Sequence, residues 1–377
     1  MRPLLVDLET QWRGGQNQML LLLKGLRARA HEPELVTVAG SALEERASST
    51  GASVHPVDRF LKPAQAALEI RRLLRSNRFH LLHANEPHAL TAAWLARAHR
   101  RVPIVVSRRV GYPLTRSWLA LRRYHAAAKI VAISQWSAKQ AIDSGAPSAN
   151  LAVVHEGVEL PSAPTPDVRR IARARWNIPE NTQLLGCVGV LSPDKGQEWL
   201  IRALALLRHE FPNCRLLLAG DGPSRSRLEE ITAQLRVTDA VVFAGFVQDI
   251  DSVYTALDIF LLPSFFEALS NALMSAMAHS LPCIAFNLGG PAEIIENGKS
   301  GLLVAPANET ALRDAIAKIL RNHILARNLG EEARNRIQQH FSADNMVHEM
   351  LRVYEQLLPK KGRSAERPSL PLGASSL

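Results

Sequence analysis

A chain of 377 residues, 47% hydrophobic and 21% charged, is too long for one core, since domains run to ~100–200 residues, and too apolar for a disordered protein. Its three cysteines, Cys187, Cys214 and Cys283, stand far apart, which excludes a disulfide framework and makes a reducing compartment, the cytoplasm, the expectation. The net charge of +10 falls on one half: residues 1–182 hold 26 Lys and Arg against 14 Asp and Glu, the remainder 19 against 21. A field this lopsided favours anionic partners, a membrane surface or a phosphorylated acceptor. Without an aromatic-interleaved basic motif, nucleic acid is not the expected partner.

In chain order, the start LLV at 4–6 is broken at once by Asp7 and Glu9, so no secretory signal is expected. PLLVDL, PELVTVAG, HLLHAN, PIVVSR and KIVAIS read as strands; QMLLLLKGLRARA, TAAWLARAHR and SAKQAIDSG read as helices between them. Strands alternating with helices predict a parallel sheet covered on both faces. The stretch 160–183 has four prolines and a polar composition, a linker signature. LLGCVGVL, CRLLLAGDG, AVVFAGF, IFLLPS and PCIAFN then repeat the theme with interleaved helices. After Phe341, ADNMVHEMLRVYEQLL predicts an amphipathic helix ahead of a polar tail. The expected divisions are 1–165, a linker at 166–183, 184–345, a helix at 346–359 and a disordered tail at 360–377. The uncharged run Ala268–Ala292 mimics a membrane span, but Pro282 would break such a helix midway.

In open α/β sheets, ligands bind beyond the carboxyl ends of strands. Gly14 and Gly15 precede a helix, so their amides could approach a phosphate, or simply let the chain turn. Lys195 stands near a helix start, where it opposes the dipole and needs solvent or an anion. In AGDGPSRSRLEE, Gly220 and Gly222 lack the third glycine of a dinucleotide fingerprint, and no GxxxxGK[ST] occurs, so nicotinamide-cofactor and P-loop readings fall away. In SFFEALSNALMSAMAHS, Glu267 is a lone carboxylate, expected in the first turn of a helix; Glu293 of FNLGGPAEII would converge on the same cleft. Asp249 and Asp251 spell D-x-D but look like N-cap residues. His80, His83 and His88 with Glu86 imitate a metal cluster, yet His80 and His83 fall on opposite faces of their strand, which leaves His83 facing a cleft. No metal is expected.

The blocks VGVLSPDKGQEWLIRAL, LLLAGDGPSRSRLEE, VVFAGFVQDIDSVYTALDIFLLPS, FEALSNALMSAMA, LPCIAFNLGGPAEII and NGKSGLLVAPAN, with WRGG, HAN, IVAIS and HEGVEL before them, resemble the retaining family 4 glycosyltransferases of group 1 type. The resemblance implies the GT-B fold: α/β, two Rossmann-like domains facing each other across a cleft, with the C-terminal helix crossing back to the first. It also implies a nucleotide-diphosphate-sugar donor and no metal or other cofactor. Carried residue by residue, Lys195 would neutralise the diphosphate with the Gly14 and Gly15 amides, and Val247 and Asp249 would lie near the base. Glu267 would bond the sugar hydroxyls, with the amides of Leu269, Ser270 and Asn271 behind it.

Three positions depart from the family. Its second glutamate, expected on the ribose, falls on Ser275, whose hydroxyl could bond the ribose only without charge assistance; the arginine paired with the lysine is Val190; and a cleft histidine is replaced by Arg109. Arg109 with Arg108 would supply substitute cations, with His83 and Arg108 on the acceptor side. The expected acceptor is a glycan or lipid-linked molecule such as a lipopolysaccharide core, and the enzyme would sit peripherally on anionic lipid at the inner face of the cytoplasmic membrane. The competing reading is a degenerate, non-catalytic binding subunit, with a sugar-nucleotide epimerase behind it.

Overall fold

The computed structural model describes residues 1–60, 62–114 and 117–358. The first sheet holds β1 (Pro3–Asp7), β2 (Glu34–Val38), β3 (Ser53–Val57), β4 (Leu81–Ala84), β5 (Ile104–Arg108), β6 (Lys129–Ala132) and β7 (Leu151–Val153), in the order β3-β2-β1-β4-β5-β6-β7. The second holds β8 (Gln183–Val188), β9 (Cys214–Ala219), β10 (Val241–Gly245), β11 (Ile259–Leu262), β12 (Cys283–Phe286) and β13 (Leu302–Val304), in the order β10-β9-β8-β11-β12-β13. Every strand pair is parallel, so each connection crosses a face and helices bury both. That is why β1, β2, β4 and β5 are buried at every position instead of alternating. The two expected Rossmann-like domains are present. Strand order reverses between β1 and β4 and again between β8 and β11, which marks the crevice in each domain where such sheets bind ligands.

The C-terminal helix Ala343–Glu355 crosses back to the first domain, as expected, and begins three residues before the predicted 346. Its Met346, Val347, Met350 and Tyr354 join Leu5, Met19 and Leu23 in one core, and a Cβ on Gly25 would stand 2.4 Å from Val347. The expectation for 360–377 lies outside the described residues.

His83 overturns one expectation. It does point away from His80, but toward the C-terminal helix and not the cleft. Both faces of a parallel sheet are covered, so alternation alone does not tell core from cleft. The ring is fully buried, with Nδ1 2.6 Å from the Tyr354 hydroxyl and Nε2 2.7 Å from Ser107 Oγ. Burial pushes its pKa down to about 3, so it stays neutral and ties the C-terminal helix to β4 and β5.

The proline-rich linker is a folded element. Thr165 caps the helix Pro166–Ala174, which lies on the second domain. Asp258 receives Arg169 at 2.6 Å and Arg173 at 2.8 Å, and the buried Arg173 also donates to the carbonyls of Ala256, Glu180 and Thr182. The uncharged run after Glu267 resolves into the helix Asn271–Ala278 and β12. Among the described residues, no helix is long and apolar enough to cross a membrane.

Candidate active site

At the second domain's crevice, the loop after β8 meets the loop after β11. Gly196 has a left-handed φ of 66°, and a Cβ there would stand 2.2 Å from the Pro263 carbonyl oxygen, so only glycine allows the approach. The contact carries Lys195 to Glu267: Nζ lies 2.7 Å from Oε1, and Ser264 Oγ donates to the same oxygen at 3.2 Å. Burial pushes the Glu267 carboxyl above its ordinary value, against the pull of Lys195.

Glu267 is not in the first turn of a helix. Ser270 is the N-cap, accepting from the Leu273 amide at 3.3 Å, and the helix begins at Asn271. Dipole complementation within a first turn therefore does not explain the carboxylate. The amides of Leu269, Ser270 and Asn271 donate to no protein acceptor among the described residues, an arrangement suited to an anion.

At the first domain's crevice, Asp7 ends β1 and Asn85 follows β4. Gln16 Nε2 donates to Asp7 at 3.0 Å, and Asn85 Nδ2 donates to the Gly15 carbonyl at 3.1 Å as well as to Asp7. Arg109 follows β5; its Nε donates to Asn85 Oδ1 at 2.9 Å and its Nη1 to Glu156 Oε1 at 2.7 Å. Glu86 caps the helix Pro87–Leu95 with bonds from the His88 and Ala89 amides and accepts the Leu8 amide at 3.1 Å. Burial, with Asp7 adding to it, pushes the Glu86 carboxyl up to about 7. The His80, His83 and His88 grouping does not form. Glu9, Glu86 and His88 are the groups that lie close together, and Glu86 already serves three amides.

The two crevices face each other. A Cβ on Gly14 would meet Asn271 Nδ2 at 2.7 Å, and one on Gly15 would meet Arg109 Cδ at 3.4 Å, so the glycine pair lies between the second domain's helix start and the arginine. Gln18 donates to Asn271 Oδ1 at 3.0 Å, and Asn271 Nδ2 donates to Glu156 Oε2 at 2.9 Å. Phe266 stacks on Tyr112 with ring centroids 4.4 Å apart and meets Trp136 edge-on at 5.1 Å. Glu293, expected to converge on the same cleft as Glu267, does reach across it, where it accepts the amides of Gln135 and Trp136 at 2.8 and 2.7 Å and so caps a first-domain helix.

The remaining expected residues have these positions. Val247 is buried in the second-domain core and Asp249 takes the N-cap position of the helix Ile250–Ala256, both beyond the carboxyl end of β10. Ser275 is a side-chain hydrogen-bond partner of the buried Tyr254 hydroxyl; because Glu267 precedes the helix, the two do not share a helical face. Val190 is exposed. Arg108 is 5% exposed, donates to the Tyr112 carbonyl and leaves Nε without a partner, so it lies beneath the loop and not on the acceptor side of the cleft. Sequence reasoning missed Asp7, Gln18, Asn85 and Glu156. HAN and HEGVEL pointed at the segments, but pairings across 115 residues, as between Asn271 and Glu156, leave no local pattern.

Residues 12–161 match the family model "Glycosyltransferase Family 4" and residues 168–336 the model "Glycosyl transferases group 1". A GDP-mannose-dependent alpha-(1-6)-phosphatidylinositol monomannoside mannosyltransferase of Mycolicibacterium smegmatis is 28% identical over 88% of this chain and 91% of its own. An uncharacterized glycosyltransferase of Methanocaldococcus jannaschii is 30% identical over 51% of this chain, which spans only 49%, about half, of that relative. The fold matches the crystal structure of Anabaena HepE in complex with UDP, with a TM-score of 0.81 and 21% identity over 95% of this chain and 100% of that one. With adjoining matches to both halves, the chain belongs to the group 1, family 4 glycosyltransferases, enzymes of the GT-B fold that use nucleotide sugars.

Proposed function

We propose that this enzyme transfers a sugar from a nucleotide-diphosphate donor to an acceptor hydroxyl with retention at the anomeric carbon. The observation that carries the proposal is the Lys195–Glu267 pair just before a helix start, Asn271, that meets Gly14 of the opposite crevice, where Gly15 lies against Arg109. In this reading Lys195, the amides of Leu269 to Asn271 and the Gly14 and Gly15 amides stabilise the departing diphosphate, and Arg109 replaces the cation lost at Val190. Glu267 receives the sugar hydroxyls. The leaving phosphate takes the acceptor's proton on the same face, so the reaction needs no protein nucleophile, and a lysine, an arginine and amides carry the diphosphate's charge without a metal. Val247 and Asp249 border the base, and Ser275 offers the ribose a hydroxyl that it shares with Tyr254.

The proposed acceptor is a lipid-linked glycan or lipopolysaccharide core, reached from an anionic bilayer that the basic first domain meets at the cytoplasmic membrane's inner face. The phosphatidylinositol mannoside substrate named for the M. smegmatis relative supports a lipid-borne acceptor. Incubation with UDP-, GDP-, ADP- and CMP-sugars should give a raised melting temperature and nucleotide release with one of them, the released sugar first appearing as the donor's own anomer. No shift and no release at millimolar donor would favour the non-catalytic subunit. Salt should strip the protein from anionic vesicles; salt-indifferent binding would contradict the electrostatic docking.

A further inference from the structure

Glu156 lies where the chain leaves β7 for the second domain. Its backbone has little freedom: Gln18 bonds both the amide and the carbonyl of Gly157, at 3.0 and 2.8 Å. A Cβ on Gly157 would stand 2.6 Å from Ala343 Cα, and Val158 bonds Phe341 and Ala343 at 3.0 and 2.9 Å. A carboxylate that is 5% exposed on so rigid a segment is costly unless both oxygens are used. They are, one by each domain: Arg109 Nη1 on Oε1 and Asn271 Nδ2 on Oε2.

The guanidinium of Arg109 is thereby oriented from two sides. Asn85 holds Nε and Glu156 holds Nη1, while Nη2 donates to no protein acceptor among the described residues. Asn271, the first residue of the donor-side helix, is held at both ends of its amide by first-domain groups, Gln18 and Glu156. The Arg109–Glu156 bond lies within the first domain, whereas the Asn271 bonds exist only while the two crevices are together.

We infer that Glu156 is a positioning residue that aims the free Nη2 of Arg109 at the donor diphosphate and, through Asn271, links that aim to closure of the cleft. This rests on the donor-binding reading above. Without Glu156 the guanidinium keeps only the Asn85 bond on Nε, about which its far end can still swing, and Asn271 keeps only the Gln18 bond across the cleft.

The test is a double-mutant cycle on the full chain with the donor found to be turned over. Glu156→Gln keeps the shape, but one of its terminal atoms can no longer accept. In the native background kcat should fall ~10- to 100-fold, the scale of a small misplacement, with donor KM and melting temperature changed far less. In an Arg109→Ala background the same substitution should cost kcat little further. Equal kcat losses in both backgrounds, or an unchanged kcat in the native one, would overturn the assignment. Should Glu156→Gln not fold, Asn271→Asp sets a second carboxylate against Glu156. It should lower kcat at pH 8 and recover in part toward pH 5.5, whereas a pH-independent loss, or none, would overturn the link to closure. Failure of the donor-binding reading is distinguishable, because the native enzyme would then bind no nucleotide sugar at all.

Discussion

Lys195→Ala should lower kcat/KM by ~10²- to 10³-fold, the cost of removing one group that stabilises developing negative charge in a dry site. The lysine is held in place by its loop and its partner. Gly196 lets the loop press against Pro263, and the ammonium lies 2.7 Å from Glu267. Val190, at the position the resemblance assigns to a paired arginine, is exposed and carries no charge. The substitution also has a pH signature. Burial raises the Glu267 pKa and Lys195 opposes the rise, so without the ammonium the carboxyl ionises at a still higher pH. If turnover needs the carboxylate, the acid limb of the pH–rate profile should move to higher pH in the variant. Steady-state kinetics across pH 5 to 9 would measure both effects. A variant within a factor of three of the native rate would remove Lys195 from the mechanism.

Asp258→Ala should strongly destabilise the second domain, at a site away from the cleft. The carboxylate joins Arg169, Arg173 and the Leu184 amide, the last at 2.7 Å, so it fastens the linker helix to the first strand of the second domain. Its removal leaves Arg173 buried with carbonyl partners only, and an unpaired buried charge costs ~3–5 kcal/mol. Asp258 keeps about a third of its own side chain in water, which places the expected loss near ~3 kcal/mol. Of the six tryptophans, Trp176 and Trp199 pack on second-domain cores and carry that domain's part of the fluorescence change in urea. Because the two domains need not unfold together, the midpoint of that transition is the quantity to compare. An unchanged midpoint would mean that the carbonyls alone satisfy Arg173.

Much of this architecture was legible in the residues. The buried strands of a parallel sheet are nearly continuous apolar runs, so PLLVDL, CRLLLAG and IFLLPS declare themselves. The edge strand β3, with exposed Ser53 and a proline at 56, has no such run and went unmarked. The linker helix was hidden by composition, though Thr165 followed by Pro166 is a helix-start signal in its own right. In the candidate site, Lys195 and Glu267 stood out because each sits between a strand and a helix, and Gly14 and Gly15 because they open one. His83 was misplaced because alternation says which residues share a face but not what covers that face. Glu293 was expected at the cleft because its loop resembles the one that carries Glu267; what no local pattern told is that a helix N-terminus in the other domain captures it there. Glu156 escaped notice because its importance lies in two partners distant in the chain, and no local spacing encodes that.

The division of labour between Lys195 and Glu267 is the centre of the account, and calorimetric titration tests it most directly. Native enzyme, Lys195→Ala and Glu267→Gln would each be titrated with the nucleoside diphosphate and with the corresponding nucleotide sugar. Lys195→Ala should bind the diphosphate at least ~10-fold more weakly, a loss of about 1.4 kcal/mol. Glu267→Gln should bind it as well as the native enzyme or better, since the ammonium is released from its partner, while losing the extra affinity contributed by the sugar. Diphosphate binding unchanged in Lys195→Ala, or weakened equally in both variants, would contradict the assignment of lysine to diphosphate and glutamate to sugar.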